Sequence, residues 1–234
     1  MESQLLPTHI AMIMDGNRRW AKKRGMPTQM GHNEGAKTLE KISQYCSDIG
    51  IKYITVFAFS TENWKRSKEE VDHLMDILEK YIKEFDKRFK EKDARIRLVG
   101  DITGLPESLQ LGIREIQERT KNNTGITVNI ALNYGGRAEI VNATKRIAKE
   151  VATGKISPDE ITEELVSAYT YTSQIPDPDL IIRTGGEFRS SGFLTWQSVY
   201  SEFYFTDCLW PDFDEKEIDK AIEEFNSRKR NFGK

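Results

Sequence analysis

The chain has 234 residues, 38% hydrophobic and 31% charged, with a formal net charge of −2. That length supports one large α/β domain with a substantial core, and the near-neutral charge gives no global basic field for nucleic acid. Cys46 and Cys208 make neither a metal spacing nor a disulfide framework, and no leader-like segment or apolar run near about 18 residues is present, so the sequence reads as neither secreted by that route nor membrane-spanning.

The first element is Ile10-Ala-Met-Ile-Met-Asp15-Gly16-Asn17-Arg18-Arg19-Trp20-Ala21. An apolar run ends on an acid and a glycine, and the next stretch reads as helix. This predicts a buried parallel strand, a tight turn and a helix N-terminus. Such a turn collects free N–H groups and favours an anion, Arg18 and Arg19 add charged donors, and Asp15 is placed to hold Mg²⁺ against that anion. The plain alternative is a strand end with a capping acid.

Further strand-length apolar runs follow the one at 10–14, at 53–59, 96–99, 126–132, 180–182 and 203–205. Helical patterns lie near 31–48, 67–91, 106–122, 136–152, 158–169 and 214–229. The alternation predicts a single α/β domain over 1–234, with a mostly parallel sheet of about six strands flanked by helices. Ser67-Lys-Glu-Glu70 matches a capping box opening the longest helix. Its stripe of Val71, Leu74, Ile77, Leu78, Tyr81, Ile82 and Phe85 is either core or one wall of an apolar cavity between sheet and helix.

The polar and glycine-rich stretches each follow a strand. They are Asp15-Gly-Asn17, Ser60-Thr61-Glu62-Asn63-Trp64-Lys-Arg66, Asn133-Tyr-Gly-Gly-Arg137 and Arg183-Thr-Gly-Gly-Glu-Phe-Arg189-Ser190-Ser191. In a parallel sheet those ends share one edge, where ligands of open α/β folds bind. Arg183 and Arg189 flank two glycines, suiting a diphosphate; the alternative is a surface loop with scattered arginines. Asn63, Ser60 and Arg66 form a candidate proton relay beside a pyrophosphate leaving group. Trp20, Trp64, Phe57 and Phe59 offer faces for an isoprenoid chain or a carbocation-like centre, or are plain core. His32, on the helix after the anion turn, is a site residue or a structural one. Glu202 is a second metal carboxylate or a structural acid paired with an arginine. No nucleotide-binding glycine motif and no nucleophile elbow is present.

Taken in order, these motifs resemble the cis-prenyltransferase family, which includes the undecaprenyl diphosphate synthases. The resemblance rests on 9–21, Gly31-His32, 59–66, 133–137, Asp179-Leu-Ile-Ile-Arg183-Thr-Gly-Gly-Glu187, 193–197 and 200–204, and spans nearly the whole chain. It implies a Mg²⁺-dependent transferase that condenses isopentenyl diphosphate with an allylic diphosphate such as farnesyl diphosphate to form a cis-polyprenyl diphosphate. By that similarity, Asp15 and Glu202 take Mg²⁺. Gly16, Asn17, Arg18, Arg19, His32 and Arg66 hold the allylic diphosphate, and Trp20, Thr61, Glu62 and Trp64 are further substrate-binding positions. Arg183, Arg189 and Ser191 hold isopentenyl diphosphate, Ser190 beside them is a further substrate-binding position, and Asn63, helped by Ser60, lies near the departing proton.

The resemblance also implies a cytoplasmic homodimer with no nucleic-acid partner and peripheral membrane contact through its product. The segment 193–205 is expected at the twofold or folded back on its own sheet. Ala58, Ala94 and Ile126 are expected to border the chain tunnel. Thr28, Phe188, Gly192 and Asn231 depart from the family pattern, with Arg230 a replacement cation for the tail. A short-chain or unusual-acceptor enzyme of the same family and a non-catalytic partner subunit are the alternatives. Such subunits usually lose the Asp-Gly-Asn and Asn-Trp motifs that this chain keeps. A phosphate-binding regulatory domain without turnover is a third.

Overall fold

Strand β1, His9–Ile13, is buried at all five positions. It pairs in parallel with β2, Tyr53–Ser60, on one side and β5, Leu180–Arg183, on the other. A strand covered on both faces must be apolar throughout, which explains its unbroken hydrophobic run. The computed structural model describes residues 5–89 and 92–228. Among them, β3 (Arg95–Val99), β4 (Thr127–Tyr134) and β6 (Glu202–Phe205) complete a six-stranded sheet of order β3-β4-β2-β1-β5-β6. Every pairing is parallel.

Seven α-helices are described: α1 (Asn17–Lys23), α2 (Thr28–Asp48), α3 (Lys68–Phe89), α4 (Glu107–Thr120), α5 (Gly136–Ala152), α6 (Glu163–Tyr169) and α7 (Glu215–Ser227). The six expected strands are found within two residues at each end. The single helix expected at 158–169 is instead a 3₁₀ turn, Pro158–Glu160, followed by α6. Ser157 and Thr162 each cap a backbone N–H, so two start signals divide the segment.

Side chains alternate across the sheet. Ile10 and Met12 of β1 join the larger core with Ile42, Ile82, Leu109 and Ile222, while Ala11 and Ile13 join a smaller one with Phe193 and Leu194. The order places a switch point at β1. The chain leaves β1 for β2 on one side, and the β4–β5 connection crosses to the other. Ligands of open α/β sheets bind beyond the strand C-termini at such a crevice.

A buried polar chain crosses β1, β2 and β4. His9 Nδ1–H donates to the Pro176 carbonyl at 2.7 Å, which leaves Nε2 to accept from the Thr55 hydroxyl at 2.7 Å. Thr55 Oγ1 in turn accepts from Asn129 Nδ2 at 3.0 Å. Burial lowers the His9 pKa from 6.5 to about 4. Between those values the unfolded chain binds a proton that the folded chain does not. Stability is therefore complete above pH 6.5 and falls as pH drops toward 4, by roughly 3 kcal/mol. Urea unfolding across this window should show that fall, reduced in a folded His9→Gln variant; parallel curves would assign it to other groups.

Candidate active site

Asp15 follows β1 at the switch point. Its carbonyl accepts from Trp210 N at 3.0 Å and from the Thr184 hydroxyl at 2.7 Å, so the turn is tied to β5 and to the 3₁₀ turn Trp210–Asp212. Gly16 has φ 112°, and a Cβ there would lie 2.9 Å from Leu209 Cδ2, so glycine satisfies both backbone and space. The Asp15 carboxylate meets two arginines: Oδ1 accepts from Arg19 Nη2 at 3.1 Å and Oδ2 from Arg183 Nη2 at 3.0 Å. Arg183, the last residue of β5, is 4% exposed. It also donates through Nη1 to the Arg189 carbonyl and, at 2.9 Å, to Ser191 Oγ. Its Nε is buried without a partner.

Beyond Asp15 opens a polar mouth of about 690 Å³ lined by Gly16, Asn17, Arg18, Arg19, Lys22, Thr28, His32 and Arg66, among others. The seven-residue α1 is too short for a strong macrodipole, so these cations rather than the helix end supply the positive field. His32 and Arg66 are drawn together by one acid. Glu70 Oε1 accepts from His32 Nε2 at 3.1 Å and from Arg66 Nη1 at 3.0 Å. Burial lowers the His32 pKa against the opposing pull of Glu70, so the neutral ring donates to the carboxylate. Glu70 was expected only as the back half of a capping box. Ser67 Oγ does accept from Glu70 N at 3.4 Å, but the Glu70 carboxylate turns to the mouth instead. Its place at the fourth residue after Arg66 was the available signal.

Below the mouth lies an apolar cavity of about 310 Å³ between the sheet and helices α2 and α3. It shares Met14, Asp15, Asn17, His32 and Arg66 with the mouth. Ser60, Asn63, Arg183 and Ser191 stand at its polar end. The α3 stripe supplies Leu74, Ile77, Leu78, Tyr81, Ile82 and Phe85, and Ala58, Ile96, Val128 and Ile130 supply the strand side. Ile126 and Ala94 share that side but lie outside the lining, packed in the core at 3% and 1% exposure.

The loop after β2 folds as a 3₁₀ turn, Thr61–Lys65, in which Asn63 Oδ1 accepts from Ser60 N at 3.1 Å. Thr61 packs against Gly135, Glu62 is exposed, and Trp64 stands edge-on to Phe59 while donating to Asn133 Oδ1 at 2.8 Å. None of the three borders the cavity or the mouth. Trp20 also lies outside both; its indole donates to Asp212 at 2.6 Å, and Arg24 covers its ring at 4.2 Å.

Within one chain Glu202 takes the second of its two expected readings. It opens β6 in register with Leu180, the first residue of β5, whereas Asp15 lies beyond the far end of β1. Glu202 accepts from Arg228 Nη1 at 2.7 Å, so within one chain it is an arginine-paired acid and not a neighbour of Asp15. Of the four departures, Thr28 borders the mouth, and exposed Phe188 lies 5.3 Å from the Phe205 ring. Gly192 has φ 75°, a conformation that glycine and asparagine share readily, so that exchange is mild. Asn231 and Arg230 lie outside the described residues.

The family model described as undecaprenyl diphosphate synthase matches residues 13–233. The chain belongs to this prenyltransferase family. An isoprenyl transferase of Fusobacterium nucleatum is 57% identical over 97% of this chain and 96% of its own length. A Micrococcus luteus ditrans,polycis-undecaprenyl-diphosphate synthase, (2E,6E)-farnesyl-diphosphate specific, is 48% identical over 97% and 92%. Among solved structures, lavandulyl diphosphate synthase from Lavandula x intermedia, in complex with dimethylallyl diphosphate, superposes with a TM-score of 0.94 at 40% identity, covering 97% of this chain and 98% of its own. A probable undecaprenyl diphosphate synthase from Campylobacter jejuni gives 0.80 at 35%, covering 98% and 100%. The cis-prenyltransferase fold and a transferase activity are thereby established for this chain.

Proposed function

We propose that the chain condenses isopentenyl diphosphate with an allylic diphosphate such as farnesyl diphosphate and elongates a cis-polyprenyl diphosphate. The observation that carries this reading is the shared boundary of a cationic mouth and an apolar cavity, which fits an amphiphile with a diphosphate head and a hydrocarbon tail. In each round the allylic carbon–oxygen bond breaks and pyrophosphate leaves. A carbon–carbon bond forms to the double bond of isopentenyl diphosphate, and one proton departs. Arg18, Arg19, Lys22 and Arg66 would hold the allylic diphosphate, and Asn63 with Ser60, which line the apolar cavity, would lie near the departing proton.

Among the described residues no three His, Cys, Asp or Glu gather as a metal cage. Asp15 alone at the mouth still fits Mg²⁺, which commonly takes one or two carboxylates together with phosphate and water oxygens. Bound there, Mg²⁺ would neutralise charge on the leaving diphosphate. The reading is tested by incubating the protein with Mg²⁺, farnesyl diphosphate and labelled isopentenyl diphosphate. A ladder of extractable products supports it, and no incorporation with any allylic primer defeats it.

Arg183 is already committed to Asp15 and to its own loop, whereas exposed Arg189 pairs with Glu187 at 2.5 Å on the loop surface. Arg189 is thus the cation that swings onto isopentenyl diphosphate, with Ser190 and Ser191 beside it. Losing such a charged contact costs about 1.5–3 kcal/mol, so Arg189→Ala should raise the KM for isopentenyl diphosphate roughly ten- to hundredfold. A larger rise for the allylic substrate would reverse the site assignment.

Assembly follows from the 193–205 segment. Phe193 and Leu194 are buried in the chain's own core, with Phe193 stacked on Phe57 at 4.7 Å. Val199 and Tyr200 remain more than 70% exposed beside edge strand β6. We place a homodimer contact on that exposed part, and light scattering should give twice the 27.0 kDa of one chain. A mass of one chain at micromolar concentration would remove the dimer. Among the described residues no helix is long and apolar enough to cross a membrane. A cytoplasmic enzyme that touches the membrane through its product agrees with this.

A further inference from the structure

One stretch of the apolar cavity's wall is polar. Glu40, Gln44 and Asp48 recur every four residues on α2 and so lie along one face. They meet the end of α3. Arg88 pairs with Glu40 and with Glu84, Gln44 Nε2 donates to the Arg88 carbonyl at 3.1 Å, and Lys92 pairs with Asp48. Glu40 lines the cavity, yet its side chain is 23% exposed. Arg88 lies outside the lining, 20% exposed, with its guanidinium 4.3 Å from the Tyr81 ring. Tyr81 lines the cavity. Glu40 thus borders both the cavity and solvent, with Arg88 packed between it and Tyr81.

Ion pairs that water reaches are weak, and Arg88 Nε is buried without a hydrogen-bond partner, so the strap is not fully satisfied when closed. A cavity of about 310 Å³ sits at the small end of ligand pockets. A polyprenyl chain outgrows it after a few additions and needs a way out that leaves the diphosphate end in place.

We propose that the Glu40–Arg88 pair is a side gate between α2 and α3 through which the growing tail leaves, and that its strength sets product length. This rests on the chain-elongating reading above. Arg88→Gln keeps most of the side chain's reach and removes its charge. It should shift the product ladder to longer chains while leaving the rate of the first condensation unchanged. The charge swap Glu40→Arg with Arg88→Glu should return the ladder toward wild type. Raising salt should lengthen wild-type products by screening this half-buried pair and leave Arg88→Gln products unaltered.

The gate is overturned if the Arg88→Gln ladder coincides with wild type, or if a swap with wild-type Tm keeps the Arg88→Gln ladder. Should the variants not fold, a wild-type ladder insensitive to salt overturns it. Failure of the elongating reading shows differently, as no product from wild type. The gate is then read from release of a fluorescent polyene fatty acid, expected to be faster in Arg88→Gln; equal release overturns it.

Discussion

Asp15→Ala is expected to lower turnover by several orders of magnitude while the chain stays folded. The two consequences come from different parts of the residue. Its backbone carbonyl ties the turn to Trp210 and Thr184, and alanine keeps that carbonyl. Its carboxylate is 30% exposed and serves Arg19, Arg183 and the mouth. Removing it leaves Arg183 Nη1 with the Arg189 carbonyl and Ser191 Oγ but takes the carboxylate from Nη2, so a lower Tm accompanies the lost turnover while the fold holds. What disappears is the acid that, on the proposed reading, joins Mg²⁺ to a leaving diphosphate. Charge stabilisation of that kind supplies several kcal/mol, at about 1.4 kcal/mol per tenfold in rate. Asp15→Asn keeps shape and loses charge, so a similar loss in both variants assigns the effect to the carboxylate. Near-normal kcat in a folded Asp15→Ala protein at saturating substrates would remove the metal role.

The parts of this site that were legible in the sequence are those fixed by local chemistry. A buried parallel strand must be apolar throughout, so β1 and the acid at its end stood out. The loops after β2 and β5 carried their own glycines and polar residues, and the sheet order brings them to one edge. The parts that were hidden depend on pairings distant in sequence or on rotamers. Glu70 satisfies a helix-start pattern by spacing, but its side chain chose His32, 38 positions away, over its own helix end. Trp210 donates to the Gly35 carbonyl across 175 positions while its backbone N–H braces Asp15, and no spacing announces that. For Glu202 the motif left two readings open because a motif gives no register. Only the pairing of β5 with β6 shows that it starts its strand at the end opposite the site.

Product length depends on side-chain direction, and here the structure sharpens the expectations. Ala58 lies on the cavity side of β2 and borders the cavity itself. Ala58→Leu therefore fills space that a tail would occupy, and it should shorten the longest product with the first condensation largely retained. Ala94 was expected to act in the same way. It lies one alternation before Ile96, at 1% exposure and outside the lining, so a tryptophan there has no cavity to enter. Forcing extra bulk into a close-packed core costs about 1–3 kcal/mol or more, so Ala94→Trp should lower Tm rather than trim the ladder. Ile126 has the parity of Val128 and Ile130, both in the cavity wall, and is 3% exposed just before β4 begins. Truncating it should extend the cavity past Val128, at a stability cost of about 2–5 kcal/mol. Products of Ile126→Ala should be as long as wild type or longer. Mass analysis of extracted products, paired with thermal melts, separates the three. A wild-type ladder from a stable Ala58→Leu protein would mean that the tail does not pass along β2, and the apolar cavity would lose its claim to the growing chain.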